Sequence, residues 1–295
     1  MPEAPTFTPV RLWVAGARPK TLGAAIAPVV VGTAAATVDG PIRWARAIAA
    51  LAVAVALQIG VNYANDYSDG VRGTDKDRRG PVRLVASGLA SPAAVRNASA
   101  ISFAVAAVIG GVLSLVVNPW LLLVGVAALI AAITYTGGPK PYGYLGLGEL
   151  MVLAFFGFVA TVGSAYVQYR QLPGLAWWGA LAAGLPACAI LLANNIRDVD
   201  TDTIARKRTL AVRFGAPRAR AMFSGCIVGA LAAVAVCGIL HPWALLGIAA
   251  APLAFTPVRL VHTRSDPPSL VAALLGTVRF QLALAALLAV GLRIG

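Results

Sequence analysis

The chain has 295 residues, is 59% hydrophobic and only 12% charged, and has a mean hydropathy of +0.80. A soluble domain carries about twice that charged fraction, so the composition excludes an ordinary soluble protein and points to an integral membrane one. The net charge is +13, but the basic residues fall in short loops between apolar runs, a pattern of membrane topology that argues against a nucleic-acid partner.

Residues 1–19 read as a polar-to-interfacial lead-in, with Trp13 as an interface anchor. The first eight residues lack a basic segment running into an apolar one, so no cleavable signal peptide is expected. About 20 apolar residues cross a bilayer. By that measure nine spans are predicted, over 20–38, 42–65, 96–117, 119–136, 146–167, 174–197, 219–240, 242–261 and 269–293. The expectation is an all-α membrane bundle, with 1–295 as one transmembrane domain. Two loops are long, 66–95 and 198–218. Cys188, Cys226 and Cys237 all lie in apolar spans, without metal-type spacing or a disulfide framework.

Positive charge sets the orientation. With the N-terminus cytoplasmic, the inner segments hold 19 of the 24 Lys and Arg, and the outer side holds only Arg43, Arg46, Arg170 and Arg293. Arg279 is left well inside the last span. Such an Arg is expected to turn inward and pair with a polar or acidic group.

The acids are concentrated too. Asp66, Asp69, Asp75, Asp77, Asp198, Asp200 and Asp202 are seven of only eleven Asp and Glu, and they occupy two short segments that each follow an apolar run. Both segments fall on the cytoplasmic side. Acids at the mouth of a membrane helix are costly unless cations compensate them, so the arrangement reads as functional. Asn62 and Asp66 are spaced as Asn194 and Asp198 are, at an offset of 132 residues, which hints at an internal repeat.

At spacings of four and seven or eight residues, side chains share one helical face. Asn62, Asp66 and Asp69 are expected to project together from the second span, and Asn194, Asp198 and Asp202 from the sixth. Facing each other, they make an all-oxygen site suited to Mg²⁺ and to the phosphates that share it. Neither cluster has a nearby His, which argues against zinc or copper. Arg72, Lys76, Arg78, Arg79 and Arg83 follow the first cluster; Arg197, Arg206, Lys207 and Arg208 lie in or after the second. Acids with a metal, ringed by Arg and Lys, form an arrangement that binds a diphosphate and stabilises it as a leaving group.

Asn-Asp-x-x-Asp-x₅-Asp at 65–75 and Asn-x-x-Arg-Asp-x-x-x-Asp at 194–202 resemble the two Asp-rich motifs of the UbiA superfamily of intramembrane prenyltransferases. Ala17-Arg-Pro-Lys-Thr-Leu22, Gly80-Pro-Val-Arg-Leu-Val-Ala-Ser-Gly88, the run from Tyr135 to Glu149, and Lys207-Arg-Thr-Leu-Ala-Val-Arg-Phe-Gly215 resemble its MenA branch, the 1,4-dihydroxy-2-naphthoate polyprenyltransferases. The resemblance covers nearly the whole chain. It implies nine spans around a central cavity open sideways to lipid. It also implies Mg²⁺-dependent transfer of a polyprenyl chain from its diphosphate to the naphthoate, with loss of the carboxylate, giving demethylmenaquinol in menaquinone synthesis at a bacterial plasma membrane. A relative acting on 4-hydroxybenzoate is the alternative.

On this reading Asp66 with Asp69 or Asp75, and Asp198 with Asp202, hold the metal, helped by Asn62 and Asn194. Arg72, Lys76, Arg83, Arg197 and Lys207 meet the diphosphate. Lys20, beside Arg18, meets the diphosphate or the aryl carboxylate. Lys140 is held between Pro139 and Pro141 over the cavity, Tyr135 and Tyr142 shield a cation with their ring faces, and Glu149 is a substrate-side acid or an N-terminal helix charge. Two rivals fit less well. A CDP-alcohol phosphotransferase needs its further acids on the neighbouring span, whereas the second group here is 132 residues away. A transporter needs charge at mid-span, and these spans are nearly empty of it.

Overall fold

The computed structural model describes residues 8–73 and 82–294, which are predominantly helical, with no strand among the described residues. Twelve α-helices follow in order: α1 (Pro9–Ala17), α2 (Gly23–Ala35), α3 (Trp44–Arg72), α4 (Pro92–Val117), α5 (Leu121–Thr134), α6 (Gly148–Val152), α7 (Ala160–Tyr169), α8 (Gly174–Arg197), α9 (Val199–Ile204), α10 (Leu210–Leu240), α11 (Pro252–Thr263) and α12 (Pro267–Ile294).

Six stretches are long and apolar enough to cross a membrane: α3, α4, Gly148–Tyr169, α8, α10 and α12. Two bent pairs, Pro9–Thr21 with Gly23–Asp39 at 53° and Pro242–Ala250 with Pro252–Thr263 at 43°, and the shorter α5 fill the other predicted positions. The chain is therefore a multi-pass membrane protein, and its helices follow the nine predicted spans in order. Local chemistry sets several ends. Ser91 accepts from the Ala94 amide to cap α4, with Pro92 at the first helical position. Gly73, at φ 71°, closes α3 in the left-handed region that glycine tolerates.

α8 is the centre of the bundle. Its apolar window is 72% buried, against 17% for α4, and α10, α12, α2 and the turn 153–159 pack around it. Small residues permit this closeness. A Cβ on Gly184 would lie 2.5 Å from the Gly157 Cα, so the two backbones touch directly. Leu153–Val159 forms a turn of π-helix between α6 and α7, a rare geometry often found at functional sites.

Arg279 does not turn inward. Its side chain is exposed on the outer face of α12, while Leu270, Ala273, Leu274, Thr277, Gln281 and Leu284 take the inner one. Gln281 is the buried polar group of that helix, donating to the Ala183 carbonyl at 2.7 Å. Arg279 lies about 100° from Phe280 and 200° from Gln281 around the axis, which puts it on the side away from α8.

α3, α4, α5 and the π turn enclose a cavity of about 520 Å³. Its apolar wall includes Leu57, Leu113, Leu129, Met151, Phe155 and Phe156; its polar end includes Asn62, Asp69, Arg83, Asn194, Asp198 and Lys207.

Candidate active site

The C-terminal end of α3 builds one side of the polar end. Asp66, Asp69, Asp198 and Asp202 are 0%, 4%, 9% and 8% exposed, so all four acids are buried. Asp69 is the hub. It accepts from the Tyr144 hydroxyl at 2.6 Å and from the Lys207 ammonium at 3.0 Å, with Arg83 at 3.9 Å. Lys207 also stands 4.7 Å over the Tyr144 ring and Arg72 stands 5.2 Å over it. Burial pushes the Tyr144 hydroxyl above its ordinary value, and Asp69 adds to that. Burial alone would pull the Lys207 ammonium down; Asp69, Tyr144 and Asp202 more than reverse it and hold it above its usual value.

Asp66 faces a different way. Its two oxygens accept from the backbone amides of Leu84, at 2.8 Å, and Val85, at 3.1 Å. Leu84 is fully buried beside Tyr63 and Val95. Asp66 is not in the cavity wall; it fixes the segment that carries Arg83 into that wall. Asn62 lines the cavity, donates to the Ala17 carbonyl at 2.9 Å and accepts from Gln58 at 3.1 Å.

The second acidic segment crosses a helix break. Asp198 ends α8 and begins α9 with φ −96° and ψ 8°. Arg197 grips it through two bonds of 2.7 Å. The Lys207 amide donates to the Asp202 carbonyl at 2.8 Å, which sets Lys207 over Asp69. Asn194, Asp198 and Asp202 all line the cavity.

The connection from Tyr135 to Leu145 closes the site. Ser68 and Arg72 donate to the Thr136 carbonyl at 2.6 and 3.0 Å, Arg72 also to that of Gly138 at 2.6 Å, and Thr136 donates to Asn65 at 2.8 Å. The Arg208 amide donates to the Tyr144 carbonyl at 2.8 Å, tying this connection to the second segment. Tyr135 and Tyr142 line the cavity with ring centroids 5.5 Å apart, and burial pushes the Tyr142 hydroxyl up to about 12. Glu149 lines it as well, with Asn195 donating to Oε1 at 2.8 Å.

Most expected side chains thus converge: Asn62, Asp69, Arg83, Tyr135, Tyr142, Glu149, Asn194, Asp198, Asp202 and Lys207 share one cavity. Asp66 and Arg197 stand behind it as partners of the loop and of Asp198. Lys20 and Lys140 are exposed and outside the wall, and the exposed Arg72 braces the connection instead of entering the cavity. Asp75 and Lys76 lie outside the described residues. Arg18, at φ 54°, lines the cavity in place of Lys20, with a buried Nη2 that has no hydrogen-bond partner. Sequence reasoning assigned no role to Tyr144, Asn65, Thr136 or Asn195. Tyr144 was legible only as the second tyrosine of Tyr-Gly-Tyr.

No three His, Cys, Asp or Glu among the described residues form a compact metal cage. The donor set nonetheless suits a hard cation shared with phosphate. It is entirely oxygen, from Asp69, Asp198 and Asp202 with the amides of Asn62, Asn65 and Asn194, on one cavity wall beside cations.

Residues 25–284 match the UbiA prenyltransferase family. The chain is 52% identical over 250 residues to the 1,4-dihydroxy-2-naphthoate octaprenyltransferase of Mycobacterium tuberculosis, covering 84% of this chain and 86% of the relative. It is 39% identical over 277 residues to the protein of the same name from Escherichia coli, covering 90% of each. In fold it is similar to a UbiA homolog from Aeropyrum pernix K1, with a TM-score of 0.69 at 18% identity over 94% of this chain and 98% of that one. A UbiA homolog from Archaeoglobus fulgidus, bound to GPP and Mg²⁺, gives 0.65 at 14% identity over 94% of this chain and 99% of that one.

Proposed function

The chain belongs to the UbiA prenyltransferase family, and from that premise we propose that it transfers a polyprenyl chain from polyprenyl diphosphate to 1,4-dihydroxy-2-naphthoate. The carboxylate leaves as CO₂ and demethylmenaquinol forms, a step of menaquinone synthesis. The observation that carries this reading is one cavity joining buried acids and cations to a long apolar wall, in a chain whose relatives are named for that reaction.

Each part of the reaction has its residues. Mg²⁺, when bound, neutralises the diphosphate and makes it a better leaving group. Asp69, Asp198 and Asp202 would hold it with Asn62 and Asn194, and Asp66 or Asp75 would support the first group. Lys207 and Arg83 take diphosphate oxygens from inside the cavity, and Arg18 offers its unbonded guanidinium nitrogen to a substrate anion. Arg72 and Arg197 add positive potential around them. The apolar wall takes the prenyl chain and keeps water from the allylic cation. The Tyr135 and Tyr142 rings present their π-faces to that cation. The 19-to-4 charge asymmetry supports a cytoplasmic N-terminus and active-site mouth, and the similarity to bacterial relatives supports a bacterial plasma membrane.

The test is purified protein in lipid with Mg²⁺, a polyprenyl diphosphate and either 1,4-dihydroxy-2-naphthoate or 4-hydroxybenzoate. Prenylated naphthoquinol and CO₂ should appear in equal amounts, with chelator stopping both. Efficient prenylation of 4-hydroxybenzoate and none of the naphthoate would overturn the choice of acceptor.

A further inference from the structure

We propose that Glu149 is the catalytic base for the acceptor, taking the proton of its hydroxyl as the new carbon–carbon bond forms; this rests on the reaction proposed above. Glu149 is the second residue of α6, is 8% exposed and lines the cavity. Its oxygens are unequal. Oε1 accepts from the Asn195 amide at 2.8 Å, while Oε2 is buried with no hydrogen-bond partner. A buried carboxylate oxygen without a donor is costly, and folded proteins rarely keep one unless a ligand or a water supplies the donor.

The substrates narrow what that donor is. A prenyl chain has no polar hydrogen, and a diphosphate brings negative charge that a carboxylate repels. The aromatic diol is the substrate that brings an O–H. The other cavity acids are engaged: Asp69 by Tyr144 and Lys207, and Asp198 by Arg197. Tyr135 stands beside the same helix, since a Cβ on Gly148 would lie 3.7 Å from its Cε2, and it lines the cavity with Glu149. A flat diol lodged beside that ring would bring its hydroxyl to Glu149.

The step balances. The Glu149 carboxylate takes the hydroxyl proton, and the ring carbon bearing the substrate carboxylate bonds to the allylic carbon. The allylic C–O bond breaks, and diphosphate leaves with its electron pair. The ring now holds a ketone beside a carbon that carries both the prenyl group and the carboxylate. That is a β-keto acid, so the carboxylate carbon leaves as CO₂ and its bonding pair returns through the ring to the oxygen. Glu149 then gives the proton back. The products are prenylated diol, CO₂ and diphosphate, and no oxidant is needed.

The experiment compares Glu149→Gln with the unaltered enzyme in lipid with Mg²⁺. Glutamine keeps the acceptor for Asn195 and removes the base. kcat should fall by about 100-fold or more, with KM for both substrates and Mg²⁺-dependent binding of prenyl diphosphate, measured by titration without acceptor, within about threefold. Between about pH 6.5 and 8 the variant's rate should climb about tenfold per unit, because the substrate hydroxyl then ionises unaided, while the unaltered enzyme's rate stays flat. The titratable groups facing Glu149 are Tyr135, Cys188 and Cys226, which ordinarily titrate above that range. A kcat within threefold of normal, a raised KM with normal kcat, or a loss without recovery at higher pH overturns the assignment. If Glu149→Gln does not fold, Glu149→Asp decides: a base gives reduced kcat with unchanged KM, and the reverse overturns it. Absence of product from the unaltered enzyme would instead strike the reaction itself.

Discussion

The two acidic segments repeat the same Asn–Asp spacing at an offset of 132 residues, yet they solve the same problem in different ways. In the first, α3 runs unbroken through Asp66 and Asp69, and the compensating groups arrive from far away in sequence: Leu84 and Val85 amides, Tyr144 and Lys207. In the second, the helix breaks at Asp198 and the adjacent Arg197 binds it through two bonds. The first segment is therefore a hub that other loops reach, whereas in the second a counter-ion stands next to its acid in sequence. Position 66 holds a loop while position 198 faces the cavity, so equivalence by offset does not become equivalence of role.

The largest effect should come from the acids that line the cavity. Asp69→Asn or Asp202→Asn should lower kcat by about 1,000-fold with the thermal transition retained, by loss of charge where the leaving group is stabilised. Activity within tenfold of normal in both variants would remove the cavity acids from the chemistry and leave the comparison without a functional meaning.

Asp66→Ala sharpens the contrast further. Releasing the amides of Leu84 and Val85 frees the segment that delivers Arg83, so KM for prenyl diphosphate should rise by about tenfold or more, on the scale of hydrogen bonds to a charged group. Arg83→Leu should raise it similarly, and the double variant should add little, because both changes break one linkage. Fully additive effects would mean that Asp66 acts independently of Arg83.

Much of this was legible in the sequence, for reasons that also mark where legibility ends. Span order follows from the length of apolar runs, and the two acidic segments stand out because charge in a membrane protein needs compensation. What hydropathy does not encode is the side of a helix facing protein, because lipid and core are both apolar. Arg279 went astray for that reason: Gln281 took the inner position. The face of α3 was nearly readable. At about 100° per residue, Asn65 and Asp69 lie about 60° and 20° to one side of Asn62, and Asp66 lies about 40° to the other. That small rotation takes Asp66 out of the cavity wall. Lys20 and Lys140 flank well-placed motifs but extend into solvent, whereas Arg18 turns inward through a left-handed backbone that no spacing rule announces.

A smaller effect tests whether the hub depends on its neutral donor. Tyr144→Phe removes the 2.6 Å bond to Asp69 but keeps the ring beneath Lys207. Turnover should fall by about tenfold, the scale of one hydrogen bond to a charged group. If turnover is unchanged, Asp69 is held in place without the Tyr144 hydroxyl.

The smallest effect is expected at Arg72, a cation over the Tyr144 ring that does not enter the cavity. Its guanidinium binds the Thr136 and Gly138 carbonyls and lies over the Tyr144 ring, so it braces the connection that brings Tyr144 to Asp69. Arg72→Lys keeps the charge and loses the planar fork that reaches two carbonyls at once. A lysine ammonium still contributes the same long-range potential to a diphosphate, so a purely electrostatic role would leave everything unchanged. A bracing role predicts kcat lower by about two- to threefold with an unchanged KM for prenyl diphosphate, since about 0.5 kcal/mol of exposed hydrogen bonding is lost. A tenfold rise in that KM would instead make Arg72 a diphosphate ligand. The first segment would then bind its substrate from both faces of α3, and the contrast with the second segment would disappear.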